Sequence, residues 1–313
     1  MATQQSVQNR SAARRSPARG KRFNITPYLF ILPHLVFFAV FLAWPFAYGI
    51  YISLFEYDFS FPDYRPFVGL QNYRNLVDPS SIQYADFWNA LTNTGVFVLW
   101  SLPPLVIVAL FLAVLLNGKY RGRNLFRGVY FAPWSLSAVV ASLLGWWIFQ
   151  DQSGLMNAFL GWLGLSQVAW LGSLPWAWVA ITVVTVWWTV GFNAIIFLAA
   201  LQDIPAAYYD AAAIDGANTL QRFWHVTLPQ LRPVLIFVVT ITLIASANLF
   251  AQPFVMTRGG PAQGTEPVIM LIYNEGFGAF RMGSAAAMSV VLAALLLTLT
   301  VLNFKVFGSG KGR

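Results

Sequence analysis

The chain has no cysteine, only two histidines, and just 10% charged residues over 313 positions. The first absence excludes a disulfide framework and a thiolate metal site, and leaves the redox compartment undetermined. The second leaves any metal centre short of ligands, so His34 and His225 read as structural and no metal is expected. The third is far below the roughly 25% charged residues of a soluble domain. No acid pair, nucleophile–base arrangement or zinc motif is present, so no catalytic residue is assigned. The ending GSGKGR (Gly308–Arg313) lacks the spacing of a phosphate-binding loop, so no ATP site is expected in this chain.

What the chain has instead is apolar surface. Hydrophobic residues make up 58% of it, in recurrent runs of about 18 or more, the mark of helices that cross a bilayer. Six spans are expected at 27–55, 90–117, 128–149, 175–201, 233–257 and 284–304. The first run is too long for the core of a signal peptide. Residues 1–24 form a basic tail with the composition of a disordered segment. Residues 25–89 read as the first span and an outer segment, 90–304 as the core, and 305–313 as a short tail.

Charge places the ends. With both termini cytoplasmic, 15 of the 19 lysines and arginines face the cytoplasm, as the positive-inside rule requires. The formal charge of +8 therefore reads as a membrane topology signal rather than a nucleic-acid surface. None of the expected spans holds an Asp, Glu, Lys or Arg, and His34 is the one ionisable side chain within them. An ion-coupled carrier commonly keeps such a charge, and an anionic solute would want an Arg or Lys clamp. A neutral, hydroxyl-rich solute fits better.

Between the fourth and fifth spans lies Asp203–Pro233, which reads as two short helices. Asp203 is a candidate N-cap, with Pro205 in the first turn. Gly216 is a helix stop, because glycine enters the left-handed C′ conformation without strain. Asn218 and Gln221 form a capping box that restarts the chain as a helix, and Leu228-Pro229 ends it. Leu220, Phe223, Trp224 and Thr227 fall on one face, a mainly apolar stripe that needs a cover.

Polar and aromatic groups sit at depth in the flanking spans. Trp187 and Trp188 lie mid-span, ahead of Thr189, Gly191 and Asn193; they read either as helix packing or as a platform for a sugar face. In the fifth span Thr242 and Ser246 share a face, as do Asn248 and Gln252, and serve either as interhelical glue or as a solute site. Pro253 kinks or ends that span.

The run Asp210-Ala211-Ala212-Ala213-Ile214-Asp215-Gly216-Ala217, then Phe223 and Leu228-Pro229, resembles the EAA loop of ABC-importer permeases. FVGLQNYRNL (Phe67–Leu76), FWNALTNT (Phe87–Thr94), GRNLFR (Gly122–Arg127) and MTRGGP (Met256–Pro261) are similar to its maltose-type sugar branch, with glycerol-phosphate permeases as close relatives. One departure is Asp210, where the family carries Glu. The resemblance implies an all-α membrane protein: a type I importer permease with six transmembrane helices and cytoplasmic coupling helices between helices 4 and 5. It implies a non-enzymatic subunit in a prokaryotic plasma membrane. Its partners would be a second homologous permease, two ATP-binding subunits that hold ATP and Mg, an extracytoplasmic solute-binding protein and membrane lipid. Asp210, Ala211, Ala212, Asp215, Gly216, Ala217, Leu220, Phe223 and Trp224 would couple to the ATPase. By position in the maltose-type pattern, Trp187, Val190, Gly191, Ala194, Thr242, Ser246 and Leu249 would face the solute, beside Asn193, Asn248 and Gln252.

Overall fold

A computed structural model describes residues 26–61, 63–118 and 121–308. The basic tail 1–24, Lys119 and the last five residues lie outside the described residues. Among the described residues five helices are long and apolar enough to cross a membrane, or six if one pair bent by 97° is counted as a single span.

Two units result. The first comprises the described residues up to Tyr48 and holds α1 (Thr26–Phe38), a π-helical turn at Ala39–Ala43 and the start of α2 (Trp44–Ile52). None of its span is buried within the chain. The π turn closes with the Trp44 N–H on the Ala39 carbonyl, just before Pro45. A proline ring crowds the carbonyl four residues back, and the wider π turn relieves that contact.

The second unit begins at Gly49. Its long elements are α4 (Ile82–Asn117), α8 (Trp176–Gln202), α11 (Leu228–Ala247) and α13 (Met282–Gly308). Core residues Ala109, Leu112, Phe197, Leu201, Leu231 and Val238 join the first three of these. A second cluster around Phe97, Trp178, Ile181 and Met256 fills the opposite end. A third, with Phe87, Val268, Leu271 and Met288, attaches α13 and α12 (Val268–Tyr273) to α4.

Four expectations are corrected. The second span starts at Ile82 rather than residue 90, so Asp86 falls within its helix. The third span is not one straight helix. Its segments Arg123–Ser135, containing α5 (Arg123–Phe131), and α6 (Ala138–Phe149) meet at 97°. Pro133 lies at the bend, and Ser137 restarts the chain by accepting the Val140 N–H at 3.3 Å. Leu228-Pro229 does not end a helix. Thr219–Ala247 runs through as one candidate span that takes in Arg222 and Arg232, with a π turn at Phe223–Thr227 closed by the Leu228 N–H on the Phe223 carbonyl. This is the same device that precedes Pro45. Finally, the fifth span ends at Ala247, before Pro253. Asn248 turns its Nδ2 back onto the Ile244 carbonyl at 2.8 Å, a local side-chain bond that competes with the helix.

The motifs that flank the core hold each other. Asn72, on α3 (Gln71–Asn75), donates to the Ser53 and Phe55 carbonyls at 2.8 and 3.0 Å, and Trp88 donates to the Leu76 carbonyl. Asn93 donates to the Gln263 and Glu266 carbonyls at 2.8 and 3.1 Å, and Thr94 accepts the Val268 N–H. The stretches around FWNALTNT and MTRGGP are thereby clamped together, although more than 150 residues separate them in the sequence.

Candidate functional site

Two places on the α8–α11 pair carry chemistry: the loop that joins the helices, and a cavity between them.

In the loop, α9 (Ala206–Ile214) ends at Gly216, whose φ is +79°. The Gly216 N–H bonds the Ala213 carbonyl at 3.1 Å and the Ala217 N–H bonds the Ala212 carbonyl at 2.9 Å, the paired closure of a Schellman turn. The chain restarts at once in α10 (Thr219–Arg222), where Asn218 and Gln221 complete a reciprocal capping box. Two ties that the sequence did not signal stiffen the bend. Arg222 Nε donates to the Ala217 carbonyl at 2.8 Å, and the Tyr209 hydroxyl meets Thr227 Oγ1 at 3.0 Å. Asp203 is not an N-cap. It closes the end of α8, and Pro205 takes the cap position of α9 with no side-chain bond.

The turn is thus closed by hydrogen bonds within the loop, and several of its apolar side chains are left outside. Ile214 is 87% exposed, Leu220 66% and Trp224 56%. Asp210, Ala211 and Asp215 are also exposed, while Ala212, Ala217 and Phe223 are half-buried. Thr227 leaves the expected stripe, because it is buried against Tyr209. Ile214, the last residue of α9 and two positions before Gly216, adds an exposed apolar side chain to which no periodicity points.

The cavity has a volume of about 680 Å³, within the range of about 300–1,000 Å³ of small-molecule sites. One wall is aromatic. Trp134, at the bend ahead of α6, stacks on Phe192 at 4.7 Å between ring centroids and lies 5.3 Å from Trp188. Trp188 is held in place by its indole N–H on the Leu136 carbonyl at 3.1 Å. The facing wall is α11, with Phe237, Ile241, Thr242 and Ser246, continued by Leu249 and Gln252. Asn193 Nδ2 donates to Thr242 Oγ1 at 3.1 Å, and Ser101 bonds Ser246 at 3.0 Å across to α4. No ionisable side chain lines the cavity.

Six of the residues expected on the solute path meet here: Asn193, Thr242, Ser246, Asn248, Leu249 and Gln252. Asn248 and Gln252 do not share a helix face, because the helix ends between them; Asn248 is exposed and Gln252 buried. The other four lie elsewhere. Val190 and Ala194 are core residues against α4. Gly191 packs on the backbone of Tyr130, where a Cβ would collide with the Tyr130 carbonyl. Trp187 is 45% exposed and points away from the cavity lining. Of the W-x-x-x-G residues, Gly191 is covered by the segment before Pro133, Val190 and Ala194 by α4, and Trp187 lies off the cavity lining. Trp134, Trp188 and Phe192 were not assigned as contacts; the Trp187-Trp188 pair signalled an aromatic platform without saying which ring supplies it.

On the outer side of α11, Glu266 is 8% exposed and accepts from Asn274 Nδ2 at 2.6 Å. Burial pushes its carboxyl above the usual carboxylate range and the charge of Asp86 adds to this, while the Asn274 hydrogen bond works the other way. Glu275, also buried, pairs with Arg281 at 2.7 Å.

The family model described as "binding-protein-dependent transport system inner membrane component" matches residues 82–307. The chain is 34% identical over 309 residues to the arabinooligosaccharides transport system permease protein AraP of Bacillus subtilis, covering 96% of this chain and 95% of that one. It is 35% identical over 292 residues to the sn-glycerol-3-phosphate transport system permease protein UgpA of Yersinia pestis, covering 93% and 97%. A solved bacterial ABC transporter that imports the acidic polysaccharide alginate contains a chain of the same fold, with a TM-score of 0.77, 22% identity, and coverage of 92% and 96%.

Proposed function

The chain belongs to the family of binding-protein-dependent transport system inner membrane components, and we propose that it is the permease subunit of an ATP-driven importer for a sugar or oligosaccharide. In this reading it forms half of the translocation path with a second, homologous permease. A solute-binding protein delivers cargo on the outer side. Two cytoplasmic subunits bind ATP and Mg and do the hydrolysis; this chain does the translocation.

The observation that carries the proposal is the loop between α8 and α11. It is closed by its own hydrogen bonds at both ends of the turn and presents Ile214, Leu220 and Trp224 outward. Large exposed apolar side chains on a rigid support are what a buried interface centre requires. Docked in a cleft of an ATPase subunit, such a loop transmits a push into both helices that wall the cavity. In this reading the loop and both termini are cytoplasmic, which the lysine and arginine distribution supports.

The relatives named above carry different cargoes, one an oligosaccharide and one a phosphate ester. The cavity favours the first. A phosphate brought to mid-membrane needs cationic donors, and the lining has none. The test is reconstitution in proteoliposomes with the partner permease, both ATPase subunits and the binding protein. Uptake of a glycan is expected to require ATP and all the subunits. Uptake without ATPase subunits would identify a secondary carrier instead, and a binding protein that prefers glycerol-3-phosphate would overturn the sugar assignment.

A further inference from the structure

Gln252 is 3% exposed, lines the cavity, and its side-chain amide has no hydrogen-bond partner among the described residues. Its neighbours are committed elsewhere. Thr242 takes the Asn193 amide, Ser246 is bonded to Ser101, and the hydroxyls of Thr185 and Thr189 donate back to their own helix. Asn193 uses Nδ2 on Thr242 and on the Leu105 carbonyl, which leaves its Oδ1 as an acceptor. An amide that has no partner in its own chain and lines a cavity is open to bond whatever occupies that cavity. The backbone leaves α11 at Ala247, becomes helical again at Ala251-Gln252 and continues in a π turn from Pro253. The break lets Gln252 turn into the cavity, while Asn248 faces out at its rim.

The rings of Trp134, Trp188 and Phe192 line the same cavity. Trp134 and Phe192 are nearly parallel, 22° between planes, and form a stacked aromatic wall. An amide with two donors and an acceptor in a cavity with an aromatic wall suits a ligand with one apolar face and a hydroxyl rim. That describes a pyranose ring: its axial C–H groups lie on the aromatic faces and its hydroxyls reach the amide. The lining holds no Arg, Lys or His, so a carboxylate on the ring would enter without a counter-charge and would pay a desolvation penalty.

We infer that Gln252 is the specificity-determining residue of this cavity, and that with the wall of Trp134, Trp188 and Phe192 it selects an uncharged sugar ring against a uronic acid ring of the same shape. This rests on the importer reading and deepens it; the chain shares its fold with a chain of a transporter of an acidic polysaccharide, so cargo charge is a property of the lining and not of the fold.

The test uses the full complex in nanodiscs without binding protein. Tryptophan fluorescence is followed while methyl glycosides of glucose, galactose and xylose, or of glucuronic and galacturonic acid, are added. The neutral glycosides are expected to bind at least about tenfold more tightly than the acids. Gln252→Leu should weaken the neutral ligands by roughly tenfold, as loss of a hydrogen bond to a ligand hydroxyl does. Gln252→Lys should bring the acids level with or ahead of the neutral ligands, a reversal that misfolding cannot mimic. Equal binding of both classes, no response to either, or Gln252 variants that bind as the wild type does would each overturn the assignment. The importer reading fails separately, through loss of ATP dependence in reconstituted uptake.

Discussion

The loop joining α8 to α11 and the cavity between the same two helices solve opposite problems. In the loop the turn closes on partners a few residues away and the Tyr209–Thr227 pair ties its ends, while Ile214, Leu220 and Trp224 are left in solvent. In the cavity Asn193 and Ser246 pair across helices, Thr185 and Thr189 bond back to their own helix, the Gln252 amide is left unspent, and Trp134, Trp188 and Phe192 line the space. The loop is a rigid body waiting for a protein surface; the cavity is a lined space waiting for a small molecule. On the proposed function, the loop is the part that transmits force and the cavity the part that selects.

Breaking the loop should have the largest effect. Gly216→Pro demands φ near −65° where the chain sits at +79° and removes the N–H that bonds Ala213. Reconstituted uptake is expected to vanish while the protein still reaches the membrane in normal amount; full transport would show that the turn is not a lever. Trp224→Ala keeps the turn and removes an exposed anchor, so co-purification of the ATPase subunits should weaken by about 2 kcal/mol in binding. Unchanged association would place the interface elsewhere on the loop.

The cavity side is sharpened by two neighbouring tryptophans. Trp188→Ala removes a ring of the aromatic wall and frees the Leu136 carbonyl, whereas Trp187 lies off the lining. Solute binding is expected to fall by about 1–2 kcal/mol in the first variant, and by less in the second. An equal or reversed order would mean that the path runs along the Trp187 side of α8.

The smallest effect concerns Glu266, outside both regions. Its carboxyl is raised above the ordinary value of 4.5, so the unfolded chain loses its proton at lower pH than the folded one does. Stability from this group is therefore present below about 4.5 and is lost as pH rises through the folded value. Glu266→Gln should flatten that decline in the thermal midpoint of the purified complex over the same acid range, with uptake at neutral pH little changed. A decline of the same size in the variant would assign it to another group.

Most of the loop was legible in the sequence because its determinants are local. A left-handed glycine and a capping pair three residues apart need no other part of the chain. The candidate crossing segments were legible for a related reason, since length and apolarity are sums along the chain. What misled was proline. Pro133 bends the third segment, whereas Pro229 is absorbed in a π turn and Pro253 sits beyond a helix end that Asn248 makes. Proline states which hydrogen bond is missing, and the surroundings decide whether the helix breaks or widens.

By itself, then, the sequence determined that the chain crosses a membrane and where along it the two-helix insert lies; its expectation of charge-free spans did not hold once the helices took in Asp86, Arg222 and Arg232. Only the tertiary structure decided which face of α8 opens on the cavity, that Val190, Gly191 and Ala194 are packing positions, and that Gln252 is the amide left free. Those outcomes depend on α4 and the segment before Pro133 covering parts of α8 and on hydrogen bonds between residues tens of positions apart, and no pattern along one helix records what packs against it.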